Sequence, residues 1–181
     1  MKKIFGITYF LIFIMITPAF CLRDINEALV NAARDNDIEK VSELIPRGSD
    51  VNSRNFLGKT PLIYAVENGN AAIVKVLISG GANVNDQLSR NGTAPLMCAK
   101  TAEIVSLLIN AGAIINAKNI DGMTALMLAA DNGFTEVVKI LVEEGADVNI
   151  KSKKGETSLS IAEAKGYKDI VEYLKTRISK E

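Results

Sequence analysis

Four features of this sequence have residue types and spacings that could carry chemistry. Glu143-Glu144 is a carboxylate pair of the kind used in acid–base catalysis, and Cys98 is a potential thiol nucleophile. Gly80-Gly81 could open a phosphate-binding loop, and Asn91-Gly92-Thr93 fits the acceptor sequence for N-glycosylation, which matters only in a eukaryotic secretory pathway. Structural roles are the simpler expectation: the carboxylates end a surface helix, the thiol is buried and inert, and the glycine pair stops a helix.

The composition excludes several catalytic and metal-binding classes. The 181 residues include no histidine and two cysteines, so a histidine base, a Cys-His nucleophile pair and a Cys₄ zinc site are absent. Lys and Arg total 21, as do Asp and Glu, so there is no basic excess for nucleic-acid binding. We therefore expect a protein that is not an enzyme, with no catalytic residues, no metal and no cofactor.

The elements that position these residues repeat along the chain. Four segments that begin with glycine align with one another: 58–65, 92–99, 122–129 and 155–162. Their glycines are 34, 30 and 33 residues apart. Segments similar to Gly-Ala-Asn-Val-Asn recur beside them, at 48–52, 81–85, 112–116 and 145–149. Apolar stripes with helical spacing lie between the two patterns, so the sequence predicts a stack of similar helical units.

Each unit is expected to contain two helices. Thr60, like Thr124 and Thr157, suits the N-cap of the first helix, because its hydroxyl can accept from a free backbone N–H. Pro61 fits the first helical position, where its missing N–H has no effect. Gly69 would end the first helix, and the Gly-Ala pattern would end the second.

These signatures closely resemble the ankyrin repeat, whose period is about 33 residues and whose pattern is T-P-L-H-x-A. The resemblance implies an all-α solenoid of about five stacked units within residues 22–181, with the first and last units as caps. We place the units at 22–54, 55–87, 88–118, 119–151 and 152–181. Together with the N-terminal segment, the sequence is similar to exported bacterial ankyrin-repeat proteins.

Residues 1–21 have the layout of a bacterial signal peptide. Two lysines precede the apolar stretch Ile4–Ile16, whose 13 residues fall short of the roughly 20 that span a bilayer. Cleavage is expected before Leu22 or before Phe20; an uncleaved anchor and lipidation at Cys21 are the alternatives. We expect an exported protein of the periplasm or cell envelope, or a secreted one, that meets a membrane only through this segment.

Two departures from the family pattern stand out. The signature histidine is replaced at all four positions, by Ile63, Met97, Met127 and Ser160. We expect packing to replace its hydrogen bonds, which leaves the rigidity of the loops open. The third unit also lacks three residues after Ala99, while the loop before Gly92 is one residue longer than its counterparts. This predicts a truncated first helix, produced either by tolerated drift or as a functional notch.

The candidate binding residues follow from the resemblance, because ankyrin partners usually contact the loop tips and the exposed edge of the first helices. Carrying those positions over gives Phe56, Leu57, Lys59, Glu67, Asn68, Arg90, Asn91, Lys100, Ile120, Met123, Asp131, Asn132, Lys153, Lys154 and Glu156. Four of them, Phe56, Leu57, Ile120 and Met123, are apolar residues on loops, which suits an interface. The alternative is that Phe56 and Ile120 fold back onto their own loops.

The charges of the five units point to a protein as the partner. They alternate as −2, 0, +2, −4 and +2, and form no continuous basic stripe for nucleic acid. We expect a monomer that binds another protein through its concave loop-tip face. Three roles remain open: an envelope scaffold, a secreted effector or inhibitor, and an accessory factor of a periplasmic enzyme such as an oxidative-stress enzyme.

Overall fold

The computed structural model describes residues 23–178, and this part of the chain contains ten helices joined by loops, with no strand. The expected signal peptide therefore lies outside the described residues. The helices are α1 (23–34), α2 (Ile38–Leu44), α3 (Pro61–Asn68), α4 (Ala71–Ser79), α5 (Pro95–Cys98), α6 (Ala102–Asn110), α7 (Ala125–Asn132), α8 (Thr135–Glu143), α9 (Ser158–Lys165) and α10 (Lys168–Ile178).

The helices stack in two layers, and each proposed unit contributes one helix to each layer. In the first layer α3 contacts α5, α5 contacts α7, and α7 contacts α9. In the second layer the contacts run from α2 through α4, α6 and α8 to α10. The predicted all-α solenoid is therefore confirmed.

The first helices begin and end as predicted. The hydroxyl of Thr60 accepts from the backbone N–H of Ile63, and Pro61 occupies the first helical position. Thr124 and Thr157 cap α7 and α9 in the same way. Gly69 ends α3 with φ near +75°, a left-handed conformation that side-chain-bearing residues rarely adopt.

One elongated core joins the units. The second helices of the three middle units supply three buried apolar residues each at matching positions: Ile73, Val74 and Leu77; Ile104, Val105 and Leu108; Val137, Val138 and Leu141. The first helices supply Leu62, Leu96 and Leu126, each at most 3% exposed. Burying one such side chain contributes roughly 1.5–3 kcal/mol, and no unit could bury these faces alone.

Asparagine side chains tie each unit to the next along the edge beyond the second helices. Asn85 accepts from Ile114 N at 2.8 Å and donates to Gly112 O at 2.9 Å. Asn52 makes the equivalent pair of bonds to the following unit, and Asn116 accepts from Asp147 N. Asn52, Asn85 and Asn116, the final asparagines of the first three Gly-Ala-Asn-Val-Asn-like segments, therefore link each unit to the next.

Packing does replace the missing histidine at the apolar positions. Ile63 and Met127 are at most 1% exposed, and Met97 is 8% exposed. Ser160 acts differently, since its hydroxyl accepts from Thr157 N at 2.9 Å while Thr157 Oγ1 accepts from Ser160 N at 3.2 Å. This reciprocal pair is a capping box.

Ser158→Ala is expected to stabilise the last unit. Ser158 Oγ is buried without a hydrogen-bond partner, at the helix position where Pro61 and Ala125 carry no polar side chain. Removing an unsatisfied hydroxyl should raise the free energy of unfolding by about 1 kcal/mol, measurable by urea unfolding. Ser160→Ala, two residues away, is the matched control and should lower it, because the capping box is lost. Destabilisation by Ser158→Ala would contradict this account.

Candidate functional site

Three of the four loop tips are closed by the side chain of their own first residue. Asn55 Oδ1 accepts from the backbone N–H groups of Leu57 and Lys59, both at 3.0 Å. Asn119 makes the same two bonds in its tip, and Ser152 makes them through its hydroxyl. These three residues were not among the candidates from the sequence, although each lies three positions before the tip glycine, where such side chains favour turns.

The third tip is built differently because its loop is one residue longer. Leu88 N donates to Thr93 O, whereas Asn55 N donates to Lys59 O in the second unit. The asparagine of this tip, Asn91, sits next to the glycine and accepts only from Thr93 N in its own loop, at 3.1 Å.

Neighbouring tips are also bonded to one another, so together they form a continuous edge. Ile120 N donates to Asn91 O and Lys153 N donates to Asp121 O, both at 2.9 Å. Arg54 connects the second and third tips through the carbonyls of Gly58 and Gln87 and an ion pair with Asp86. Hydrogen bonds and an ion pair thus connect these loops without the signature histidine.

Large apolar side chains stand out from this edge. Phe56 is 94% exposed, Ile120 is 52% exposed and Leu57 is 40% exposed, while Met123 is half-buried. The alternative in which Phe56 folds back onto its own loop is therefore wrong, and Ile120 is also more than half open to solvent. A groove of about 700 Å³ lies beside Phe56, between its loop and helix α1.

The candidates on helix α3 are engaged within the protein. Lys59 Nζ bonds both carboxylate oxygens of Glu67, at 2.8 and 2.6 Å, and lies 5.1 Å from the ring centre of Tyr64. Asn68 donates to the backbone carbonyls of Ala33 and Arg34 at the end of α1. These three residues therefore shape and join the stack, and Asn68 has little freedom to meet a partner.

The remaining candidates divide into paired and open side chains. Asp131 is bonded to Lys165 at 2.8 Å, and this bond raises the pKa of the Lys165 ammonium group. Glu156 accepts from Ser152 Oγ at 3.3 Å. Arg90, Lys153 and Lys154 are exposed at the tips. The structure thus brings the loop-tip candidates onto one edge, while Asn68 and Asp131 bond to neighbouring helices.

The third unit has a gap where its first helix stops early. Helix α5 has four residues and ends at Cys98, whereas α3 and α7 have eight. The predicted truncation is confirmed, and it leaves a cavity of about 400 Å³ between α3 and α7. Burial, followed by the charge of Glu67, raises the pKa of the Cys98 thiol to about 11, so at neutral pH the thiol is protonated and a poor nucleophile.

No metal or membrane site emerges from residues 23–178. This part of the chain holds no group of three His, Cys, Asp or Glu side chains placed to bind a metal ion. Its helices are all too short or too polar to cross a bilayer. Glu143-Glu144 is exposed at the end of α8, as expected of a solvated helix end.

Comparison with known proteins gives partial matches to several animal proteins. The mitochondrial disaggregase of Bos taurus is 47% identical over 58 residues, 32% of this chain and 9% of that protein. BRCA1-associated RING domain protein 1 of Caenorhabditis elegans is 36% identical over 104 residues, 56% of this chain and 15% of that protein. Ankyrin repeat, SAM and basic leucine zipper domain-containing protein 1 of Homo sapiens is 33% identical over 116 residues, which are 61% of this chain and 24% of that protein.

The chain thus spans a quarter or less of the length of these relatives. Because all three are eukaryotic, they give no support to the expected resemblance to exported bacterial proteins. A family model described as ankyrin repeats (3 copies) matches residues 29–119 and, again, residues 100–180. The chain therefore belongs to the ankyrin-repeat family, whose repeats act as protein–protein interaction modules.

Proposed function

We propose that this chain is a non-enzymatic binding protein that holds one partner protein along its edge of loop tips. The observation that carries the proposal is Phe56, 94% exposed on a tip that Asn55 holds closed. An exposed aromatic ring gains nothing for the folded monomer, whereas buried aromatic anchors dominate the energetics of protein interfaces. Because Asn55 already bridges two backbone N–H groups of this tip, little conformational entropy should be lost on binding.

The surroundings of Phe56 favour a specific contact over general stickiness. The adjoining groove is lined by polar and charged residues of α1 and of the Phe56 loop, including Asn26, Asn31, Arg34 and Arg54. An apolar anchor beside convergent hydrogen-bonding groups is the usual anatomy of an interface. Ile120, two units away, supplies a second apolar anchor on the same edge.

The test is capture of the partner by the purified protein, followed by titration of the identified partner. We expect one partner that binds saturably, with a stoichiometry of one chain to one partner. A wild-type protein that binds no partner in any fraction of its source cells would overturn the proposal. The identity of the partner would also separate an envelope scaffold, an effector or inhibitor, and an accessory factor of an enzyme.

We further propose that the protein is exported and acts in the cell envelope or outside the cell. The support is the layout of residues 1–21, in which two lysines precede a 13-residue apolar stretch. N-terminal sequencing of the protein from a membrane-free fraction should show a chain beginning near Leu22 or Phe20. An intact Met1-Lys2-Lys3 terminus in that fraction would contradict export by this route.

A further inference from the structure

The gap in the third unit lies on the face formed by the first helices and results from the shortness of α5. It is open because α5 ends at Cys98 while α3 and α7, on either side, run on to Asn68 and Asn132. Its volume of about 400 Å³ lies within the range of roughly 300–1,000 Å³ that is usual for ligand pockets. We call this cavity the α5 notch; its lining includes Met97, Cys98, Lys100, Leu128, Asn132 and Phe134.

The side chains around the α5 notch do not close it. Asn68 in the second unit reaches back to the carbonyls that end α1, but its equivalent Asn132 bonds to Leu128 O within its own helix. The missing turn of α5 would have provided the carbonyls that Asn132 lacks. Lys100 Nζ donates to Glu67 O at 2.8 Å. This bond joins the third unit to α3 but does not fill the cavity.

The lining has an apolar floor and a cationic rim. Met97, Cys98, Leu128 and Phe134 contribute thioether, thiol, aliphatic and aromatic surface. At the rim, Glu67 is already paired with Lys59. The contact of Lys100 is with a neutral carbonyl, so this bond leaves its charge unbalanced.

We propose that the α5 notch receives an aromatic side chain of the partner protein, with a carboxylate of the same segment beside Lys100. This inference rests on the proposed protein-binding function and names what the partner must present. An aromatic ring fits because sulfur atoms, a neighbouring ring and an ammonium group all interact favourably with one. A carboxylate fits because it would pair with the exposed ammonium group of Lys100, whose hydrogen bond is to a neutral carbonyl.

The α5 notch can be tested without the partner, using 3-phenylpropionate as the probe. The readout is the rate at which iodoacetamide alkylates Cys98, followed by peptide mass spectrometry of the full chain in mildly alkaline buffer. At a probe concentration about ten times its Kd, we expect alkylation of Cys98 to slow roughly tenfold. The cation 3-phenylpropylamine, which carries the same ring, should protect Cys98 much less.

Two variants locate the effect. Lys100→Gln should remove the advantage of the acid over the amine while keeping the cavity. Replacing Lys100 with the sequence of residues 66–69 restores the three missing residues, so it should fill the α5 notch and abolish protection, provided that circular dichroism shows an intact stack. Lys100→Gln remains decisive if that graft does not fold.

Three results would overturn the proposal. These are no protection by 3-phenylpropionate in the wild type, equal protection in the folded graft, and an unchanged preference for the acid in Lys100→Gln. Because the probe assay needs no partner, its outcome is independent of whether the loop tips capture one. If the probe protects Cys98 but the capture experiment finds no partner protein, the proposed function is overturned while the α5 notch is still shown to bind an aromatic acid. If a partner is captured but the probe gives no protection, only the present inference is overturned.

Discussion

Gly122→Ala is expected to lower the free energy of unfolding by about 2–4 kcal/mol. Gly122 has φ near +75°, where an alanine costs roughly 1–2 kcal/mol. Its new Cβ would also lie 3.0 Å from Lys153 N, closer than such contacts normally approach. That nitrogen donates to Asp121 O, so relieving the contact should weaken the bond between the fourth and fifth tips as well. Urea unfolding followed by circular dichroism measures the loss.

Gly155→Ala is the matched control for this substitution. Gly155 occupies the same place in the next tip, with φ near +80°, but a Cβ there would meet no atom within 4 Å. Gly155→Ala should therefore lower the free energy of unfolding only by the cost of an alanine at positive φ, about 1–2 kcal/mol. Equal losses in the two variants would show that the contact between tips contributes nothing to stability.

Truncating Phe56 and Ile120 together to alanine is expected to weaken partner binding by roughly 30-fold or more, the loss of about 2 kcal/mol that marks an interface hot spot. Both side chains are largely exposed, so the folded monomer loses few contacts. The backbone bond from Ile120 N to Asn91 O does not need the side chain and remains in the variant. Titration of the purified partner measures the change, and an unaltered helical signal shows that folding is unaffected.

Ile114→Ala provides the control for the loss of an exposed apolar side chain. Ile114 is 60% exposed, comparable to Ile120, but it lies in the loop after α6, where its N–H bonds to Asn85. Its truncation should leave the affinity for the partner unchanged. A similar loss with Ile114→Ala would mean that binding depends on general surface hydrophobicity.

The architecture could be predicted because its determinants are local and repeated. A threonine followed by proline specifies where α3 begins, and a glycine specifies where it ends, whatever the rest of the chain does. Four copies of such signals, at a period near 33 residues, leave few alternatives to a helical stack. The truncation of α5 followed in the same way, from counting residues between Ala99 and Ile104.

The site was only partly predictable because its contacts cross between units. Nothing in the sequence indicates that Asp131 pairs with Lys165 of the next unit, or that Asn68 reaches the end of α1. Those contacts depend on the distance and rotation between neighbouring units, which short motifs do not encode. The exposure of Phe56 also required coordinates, since a phenylalanine in a loop can either fold back or project.

The central claim is that the loop-tip edge is where the partner binds, and photo-crosslinking tests it most directly. Phe56 would be replaced with photo-reactive benzoylphenylalanine, a larger aromatic residue that the exposed position can accommodate, and the complex with the purified partner irradiated. A second protein would carry the same group in place of Ile114. The proposed function predicts a covalent adduct with the partner from position 56 and none from position 114, whereas an adduct from position 114 alone would contradict it.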